Sequence, residues 1–244
     1  MKKSEIPKII HYCWFGNNPM PEIVKKCIKS WKNKCPEYKI VCWNEKNFDI
    51  NSNEYVRQAY EAKKWAFVTD YVRLYVIYNY GGIYLDTDVE IIKKIDEFTK
   101  YDAFFAMEDD DNYNTGIGFG AKEKHPLVKQ MLEMYNCRKF KTDNGFDTTP
   151  CPVLNTEVIK NNYDSLSKDK KTIIDNICFL PKDYFCPIDY DTGEMKMTYN
   201  TVAIHHFSQS WLSKKEKVKY SIKKKLYKIF GKEKVNKIIK KIKR

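Results

Sequence analysis

No run in the sequence approaches the roughly 18 consecutive apolar residues that cross a bilayer. The apolar stretch in its opening, MKKSEIPKIIHYCWFGNN, is too short for a secretory signal. The expectation from both shortfalls is a body that stays in the cytosol. Glycine and proline are scarce, nine of each in 244 residues, so no low-complexity tract dominates and a disordered tail is excluded. The eight cysteines (Cys13, Cys27, Cys35, Cys42, Cys137, Cys151, Cys178 and Cys186) form no C-x-x-C pair. Several lie in apolar runs such as IIHYCWF and YKIVCW, which makes them reduced, buried thiols acting as small hydrophobes. The length excludes a disulfide mini-protein, and no internal repeat or interdomain linker is visible. With 15% aromatic residues there is material for one sizeable core or two small ones.

Charge is distributed unevenly. From Lys214 onward there are 14 Lys and 1 Arg against Glu216 and Glu233, a net +13, which leaves residues 1–213 at −1. The chain therefore divides into a nearly neutral body, 1–213, and a basic tail, 214–244. In the tail Val218, Ile222, Leu226, Ile229 and Phe230 recur at helical spacing. After Gly231 the row resumes at Val235, Ile238, Ile239 and Ile242, which predicts two short basic amphipathic helices. The preferred reading is docking on an anionic membrane, with the apolar row in the headgroup layer and the lysines at phosphates. Contact with nucleic acid, and a solvated helix packing its apolar row on the body, remain as alternatives.

In the body, Pro7 to Phe15 and Tyr38 to Trp43 read as buried strands around a helix from about Pro21 to Lys34. One long helical pattern runs from Glu54 to Tyr80 and stops at Gly81-Gly82, followed at once by the strand IYL. DAFFAM (102–107), GIGFGA (116–121), ICFL (177–180) and VAIHHF (202–207) are further strand candidates, with a helix starting at His125-Pro126. The polar stretch from Lys139 to Pro152 reads as a loop. Strands alternating with helices give an α/β fold with a mainly parallel sheet, whose ligands bind beyond the carboxyl ends of the strands.

The chemistry concentrates in Asp70-Tyr-Val-Arg73 and Tyr80-Gly-Gly-Ile-Tyr84-Leu-Asp86-Thr-Asp88, which set four charged groups in an otherwise apolar helix-turn-strand unit. Asp86 and Asp88, two apart in an extended segment, project from one side and can converge on a hard divalent cation. Asp70 and Arg73, three apart on a helix, share a face. Alone, an Asp-x-Asp turn and an Asp-Arg helix pair are each ordinary structural features. Glu108 to Asp111 reads as a second cation site or, preferred for its place in a polar loop after a strand, a solvated acidic loop, and His11 as a hydrogen-bonded core histidine.

Taken together, WAFVTDYVRLYVIYNYGGIYLDTD resembles the DXD-motif sugar transferases of glycosyltransferase family 32, and also the large clostridial toxin glucosyltransferases. IPKIIHYCWFG at the front and HHFSQSW at the back extend the resemblance more thinly from Ile6 to about Trp211, and the basic tail lies outside it. The resemblance implies a GT-A nucleotide-sugar-binding fold, a Mn²⁺ or Mg²⁺ cofactor, and transfer from a nucleotide sugar with retention of configuration. On that pattern Asp88 binds the metal, and Asp86 contacts the donor's ribose and sugar or the metal's water shell. Asp70 and Arg73 hold the donor sugar and diphosphate, with Tyr84 beside them. Trp14 stacks on the nucleobase, Asn114 faces donor or acceptor, and Ser210 and Trp211 touch the diphosphate. A histidine completes the metal site; the doublet His205-His206 leaves it open, with His205 preferred because adjacent strand residues face opposite ways. Thr148 to Leu154 resembles the family's acceptor loop, with Thr149 before Pro150 in place of the usual glycine.

The expectation is thus a metal-dependent retaining glycosyltransferase, cytoplasmic and peripheral on the inner face of a bacterial plasma membrane. It would add a sugar to a lipid-linked or growing surface polysaccharide, capsular polysaccharide included. UDP-sugars come first as donors and GDP-mannose second. An effector that glycosylates a protein, and a non-enzymatic nucleic-acid-binding protein with a structural Asp-x-Asp, are the competing readings.

Overall fold

The computed structural model describes residues 5–208, 214–231, 234, 235 and 237. The chain opens with β1 (Ile9–Cys13), α1 (Glu22–Lys34) and β2 (Lys39–Trp43), then α2 (Glu54–Glu61), α3 (Trp65–Tyr80), β3 (Gly82–Tyr84) and β4 (Val89–Ile91). It continues through β5 (Ala103–Ala106), β6 (Phe119–Ala121), α4 (Pro126–Glu133), β7 (Lys141–Thr142), β8 (Gly145–Phe146) and α5 (Cys151–Asn162). It closes with β9 (Thr172–Ile174), β10 (Ile177–Leu180), β11 (Ala203–His205) and α6 (Lys214–Phe230). The main sheet has seven strands in the order β2-β1-β3-β6-β5-β10-β9. β2, β1, β3, β5 and β10 run one way, and β6 and β9 run against them. β4 and β11 form a separate antiparallel pair, as do β7 and β8.

Alternation along the strands builds two cores. Phe105 and Phe179 face the layer of α2, α3, α4 and α5, while Phe104 and Leu180 face Trp31 of α1, Phe98 and Phe185. Trp31, fully buried, also donates its indole N–H to the carbonyl of Val89 at 2.7 Å, which ties α1 to β4.

Several expected elements needed correction. The single helix from Glu54 to Tyr80 is two, because Lys63 adopts a left-handed φ of 56° between α2 and α3. No glycine or proline marks that break, and apolar spacing carries across it because both helices pack on the same core. The stretch from Lys139 to Pro152 holds the β7–β8 hairpin, and α5 begins at Cys151, inside the expected loop. VAIHHF contributes β11 to the small sheet, outside the main one. The end of α3 is as expected: Gly81 (φ 61°) and Gly82 (φ 107°) turn the chain, and a Cβ on Gly82 would stand 2.8 Å from the carbonyl oxygen of Ile9. His11 is a core histidine, with Nε2 at 2.9 Å from the Gly81 carbonyl and Nδ1 accepting from Trp43 at 3.0 Å. Burial pushes its ring down to about 4. All eight cysteines are free thiols, and six are buried.

In the tail, α6 turns its tyrosines inward. Tyr220 packs against Tyr190 with ring centroids 4.8 Å apart and the rings tilted by 46°, and Tyr227 is 3% exposed. Val218, Ile222, Leu226 and Ile229, at four-, four- and three-residue steps on the opposite side, are 59%, 55%, 38% and 70% exposed. The helix ends before Gly231, whose φ is 80°.

Candidate active site

The carboxyl ends of the parallel strands collect the polar groups. Arg73, on the inner face of α3 and 4% exposed, is the hub. It donates to Asp86 Oδ1 at 3.1 Å and to Thr69 Oγ1 at 3.2 Å from one terminal nitrogen, which also lies 3.2 Å from Asp70 Oδ1. Its other terminal nitrogen donates to Cys151 Sγ at 3.1 Å, and its guanidinium lies 5.1 Å from the Tyr84 ring centroid. Tyr84 donates its hydroxyl to Asp86 Oδ1 at 3.3 Å. Oδ1 of Asp86 is thus engaged twice, while the side chain as a whole stays 28% exposed, the solvent-facing tip of a buried ion network.

Gly116 makes this geometry possible. Its carbonyl accepts from Asp86 N at 2.6 Å, and its own N–H donates to Asn114 Oδ1 at 2.6 Å. A Cβ at this position would stand 2.0 Å from Asp86 Oδ2. Burial raises Asp70 to about 6 despite the neighbouring Arg73. Burial and the charge of Asp70 push the Cys151 thiol well above its ordinary range. Arg73 Nε is buried without a hydrogen-bond partner among the described residues.

The segment from Asp86 to Val89 is a turn, closed by Val89 N donating to Asp86 O at 3.0 Å, and the expected extended pair of carboxylates is absent. The turn lets Asp86 face Arg73, while Asp88 joins a second group. Asp88 Oδ1 lies 3.4 Å from His205 Nε2, and Asp88 Oδ2 accepts from Ser208 N at 2.8 Å. The β4–β11 pairing sets His205 opposite Val89, directly after Asp88. His206 turns the other way and meets Glu90 at 2.8 Å, a carboxylate also held by Lys26 at 2.8 Å. Of the doublet, His205 is the histidine beside Asp88, and His206 the one beside Glu90. Burial opposes the charge on Asp88, but His205 and the Ser208 N–H outweigh it and hold the carboxyl well below its usual range. Burial opposes charge on His205 as well, and Asp88 overrides it to raise the ring well above its ordinary value.

Two donors sharing one ion at about 2.1 Å stand roughly 3.0–3.5 Å apart. Asp88 and His205, a carboxylate and an imidazole at 3.4 Å, fit a divalent cation on that measure. Among the described residues no group of three or more His, Cys, Asp or Glu side chains is gathered to hold a metal. A pair of protein donors suits Mg²⁺ or Mn²⁺, which keep positions for water and phosphate oxygens.

Trp14 lies just past β1, half-buried, with its indole N–H donated to the Asn18 carbonyl at 2.7 Å. Asn114, 8% exposed, reaches the centre through Gly116. Ser210 and Trp211 lie outside the described residues. Sequence reasoning missed Gly116 and Cys151, and preferred to leave Glu108 among solvated acids. Asp109 organises a turn, accepting from Asp111 N and Asn112 N at 2.8 Å, but Glu108 points inward, with Oε1 3.7 Å from His205 Nδ1. The available signal was position: Glu108 follows the β5 run just as Asp86 follows the β3 run.

The architecture is a GT-A fold, a mainly parallel sheet between layers of helices. The chain shares its fold with the PaToxG glycosyltransferase, at a TM-score of 0.51 and 17% identity over 68% of this chain and 72% of that one. Residues 21–105 match the family described as "Glycosyltransferase sugar-binding region containing DXD motif". Asp86-Thr-Asp88 is the D-x-D within it. Among relatives, "Inositol phosphoceramide mannosyltransferase 3" of Schizosaccharomyces pombe is 28% identical over 135 residues, 54% of this chain and 37% of that protein. An uncharacterised glycosyltransferase of Acanthamoeba polyphaga mimivirus is 27% identical over 197 residues, 75% of this chain and 77% of that one. The chain spans less than half the length of the first yeast relatives it matches, 37% and 44% for inositol phosphoceramide mannosyltransferases 3 and 1 of S. pombe.

Proposed function

We propose that this protein transfers a sugar, with retention, from a nucleotide-sugar donor to a lipid-linked or growing surface glycan. The observation that carries the reading is the pairing of Asp88 with His205 beside the Arg73–Asp86 network, inside the DXD region. The names of the yeast relatives favour mannose as the sugar and a phosphate-bearing lipid as the acceptor, which moves GDP-mannose ahead of the UDP-sugars.

Cleaving the sugar–diphosphate bond leaves negative charge on the departing phosphate. Mn²⁺ or Mg²⁺ held by Asp88 and His205 would supply a Lewis acid for that charge. Asp86, with Oδ1 pinned by Arg73 and Tyr84, offers its remaining oxygen to hydroxyls of the donor. Asp70 and Thr69 hold Arg73 in place, and the indole face of Trp14 is available to stack on a nucleobase. The acceptor hydroxyl attacks the anomeric carbon from the front face as the carbon–oxygen bond to phosphate breaks. The electron pair leaves with the nucleoside diphosphate, whose oxygen takes the acceptor's proton. The Cys151 thiol, hydrogen-bonded to Arg73 and kept protonated by burial, is a poor covalent nucleophile.

The exposed apolar row of α6 supports a membrane-bound setting, at the cytoplasmic face of the plasma membrane. Its tyrosines already pack toward the body, so Val218, Ile222 and Ile229 are left for a lipid surface, flanked by lysines worth about 1 kcal/mol each near anionic headgroups. No described helix is long and apolar enough to cross a membrane. The test is incubation of purified protein with radiolabelled GDP-mannose or UDP-sugars, with and without Mn²⁺, and with membrane lipid extracts. Mn²⁺-dependent label in lipid, abolished by Asp88→Asn, is the expected result. Label in polypeptide would overturn the acceptor class, and full turnover by Asp88→Asn would overturn the metal assignment.

A further inference from the structure

His205 is 8% exposed, and both of its ring nitrogens face carboxylates: Nε2 lies 3.4 Å from Asp88 Oδ1, and Nδ1 lies 3.7 Å from Glu108 Oε1. Nδ1 is buried and has no hydrogen-bond partner among the described residues. A neutral imidazole carries one N–H, and it can lend a lone pair from one nitrogen only if the other holds the proton. Histidines that ligate metals accordingly donate their second N–H to a carboxylate, carbonyl or water, which fixes ring orientation and tautomer. Glu108 stands where that acceptor is needed. It is itself held, because its backbone N–H donates to the Asn112 carbonyl at 2.9 Å. The Cys186 thiol, which also neighbours His205, already turns toward the Ile188 carbonyl at 3.7 Å and is the weaker acceptor.

We propose that Glu108 is a positioning residue for the cation site: it accepts the Nδ1–H of His205 and so presents the Nε2 lone pair toward the ion shared with Asp88. A shift of a few tenths of an ångström brings Glu108 Oε1 from 3.7 Å to hydrogen-bonding range. Glu108 thereby joins the functional residues through its geometry, apart from the solvated acids that follow it. The inference rests on Asp88 and His205 as cation ligands, and its test separates the two ideas.

Mn²⁺ affinity is measured without nucleotide, by the electron paramagnetic resonance signal of the free ion, on the full chain and four variants. Asp88→Asn and His205→Ala report the ligands; Glu108→Ala and Glu108→Gln report the positioning. Glu108→Ala should weaken Mn²⁺ binding about 10- to 100-fold, the range for losing an outer-shell partner of a ligand. Glu108→Gln keeps a carbonyl oxygen to accept the N–H and should restore most of that loss. If Gln falls as far as Ala, the carboxylate acts through its charge or as a direct ligand, and the positioning role is wrong. If both Glu108 variants bind like the parent while the Asp88 and His205 variants do not, Glu108 has no part in the site. If the Asp88 and His205 variants bind as well as the parent, the cation site fails and the proposal with it. Unfolding midpoints of all four variants separate lost binding from lost structure.

Discussion

Replacing Asp70 by Asn removes a carboxylate whose charge the fold opposes. Asp70 sits on the inner face of α3, and burial raises it from 3.8 to about 6 even beside Arg73. In the unfolded chain it ionises near its ordinary value, so between these two limits the folded state binds more protons than the unfolded one. Stability from this group is therefore fully present below about pH 4 and is lost as pH rises through about 6. At about 1.4 kcal/mol per pH unit the loss reaches an upper bound of about 3 kcal/mol above pH 7. The neutral amide has nearly the same shape and leaves Arg73 paired with Asp86. Asp70→Asn should thus stabilise the protein by up to about 3 kcal/mol at pH 7.5, raising Tm by at most roughly 6–12 °C for a chain of this size. The difference should close near pH 4. Urea unfolding of both proteins at the two pH values, with chelator present, measures it. If Asp70→Asn is less stable at pH 7.5, or the gap is the same at both, attraction to Arg73 outweighs desolvation and the reasoning is refuted. Transfer activity should fall in the same variant, since the strained carboxylate is retained for the site.

Gly116→Ala should destabilise the protein by about 1–3 kcal/mol and weaken donor binding, because the new methyl overlaps Asp86 Oδ2 and crowds Arg73. Unchanged stability would show that the turn has room to relax. Ile222→Glu combined with Ile229→Glu, at positions 55% and 70% exposed, should leave the melting temperature in place. The same pair should abolish sedimentation with phosphatidylserine vesicles, and retained sedimentation would assign binding to the lysines alone or to another surface.

The α/β layering was legible because fully buried strands such as ICFL and DAFFAM and the Gly81-Gly82 stop carry strong local signals. The Asp70–Arg73 pair was legible from helical spacing, but the ion pair of Arg73 with Asp86 was not, since it depends on how the α3-to-β3 turn folds back. Spacing could not reveal that the chain turns between Asp86 and Val89, because a two-residue offset reads the same in a strand and in a turn until the pairing partners are known. Glu108 was hidden by its neighbours: three exposed aspartates gave the segment the look of solvent. Cys151 looked apolar in sequence, and its contact with Arg73 depends on a helix start between two prolines. Thr172–Ile174, flanked by lysines and aspartates, did not read as an edge strand.

The two halves of the site differ in how far apart their residues lie along the chain. Arg73 meets Asp86 across 13 residues, whereas Asp88 reaches Ser208 across 120. Local contacts close with little loop entropy and form early, while distant ones wait for the whole topology. Arg73 and Asp86 can therefore pair before β11 is in place, whereas Asp88 acquires His205 and Ser208 only once β11 docks on β4.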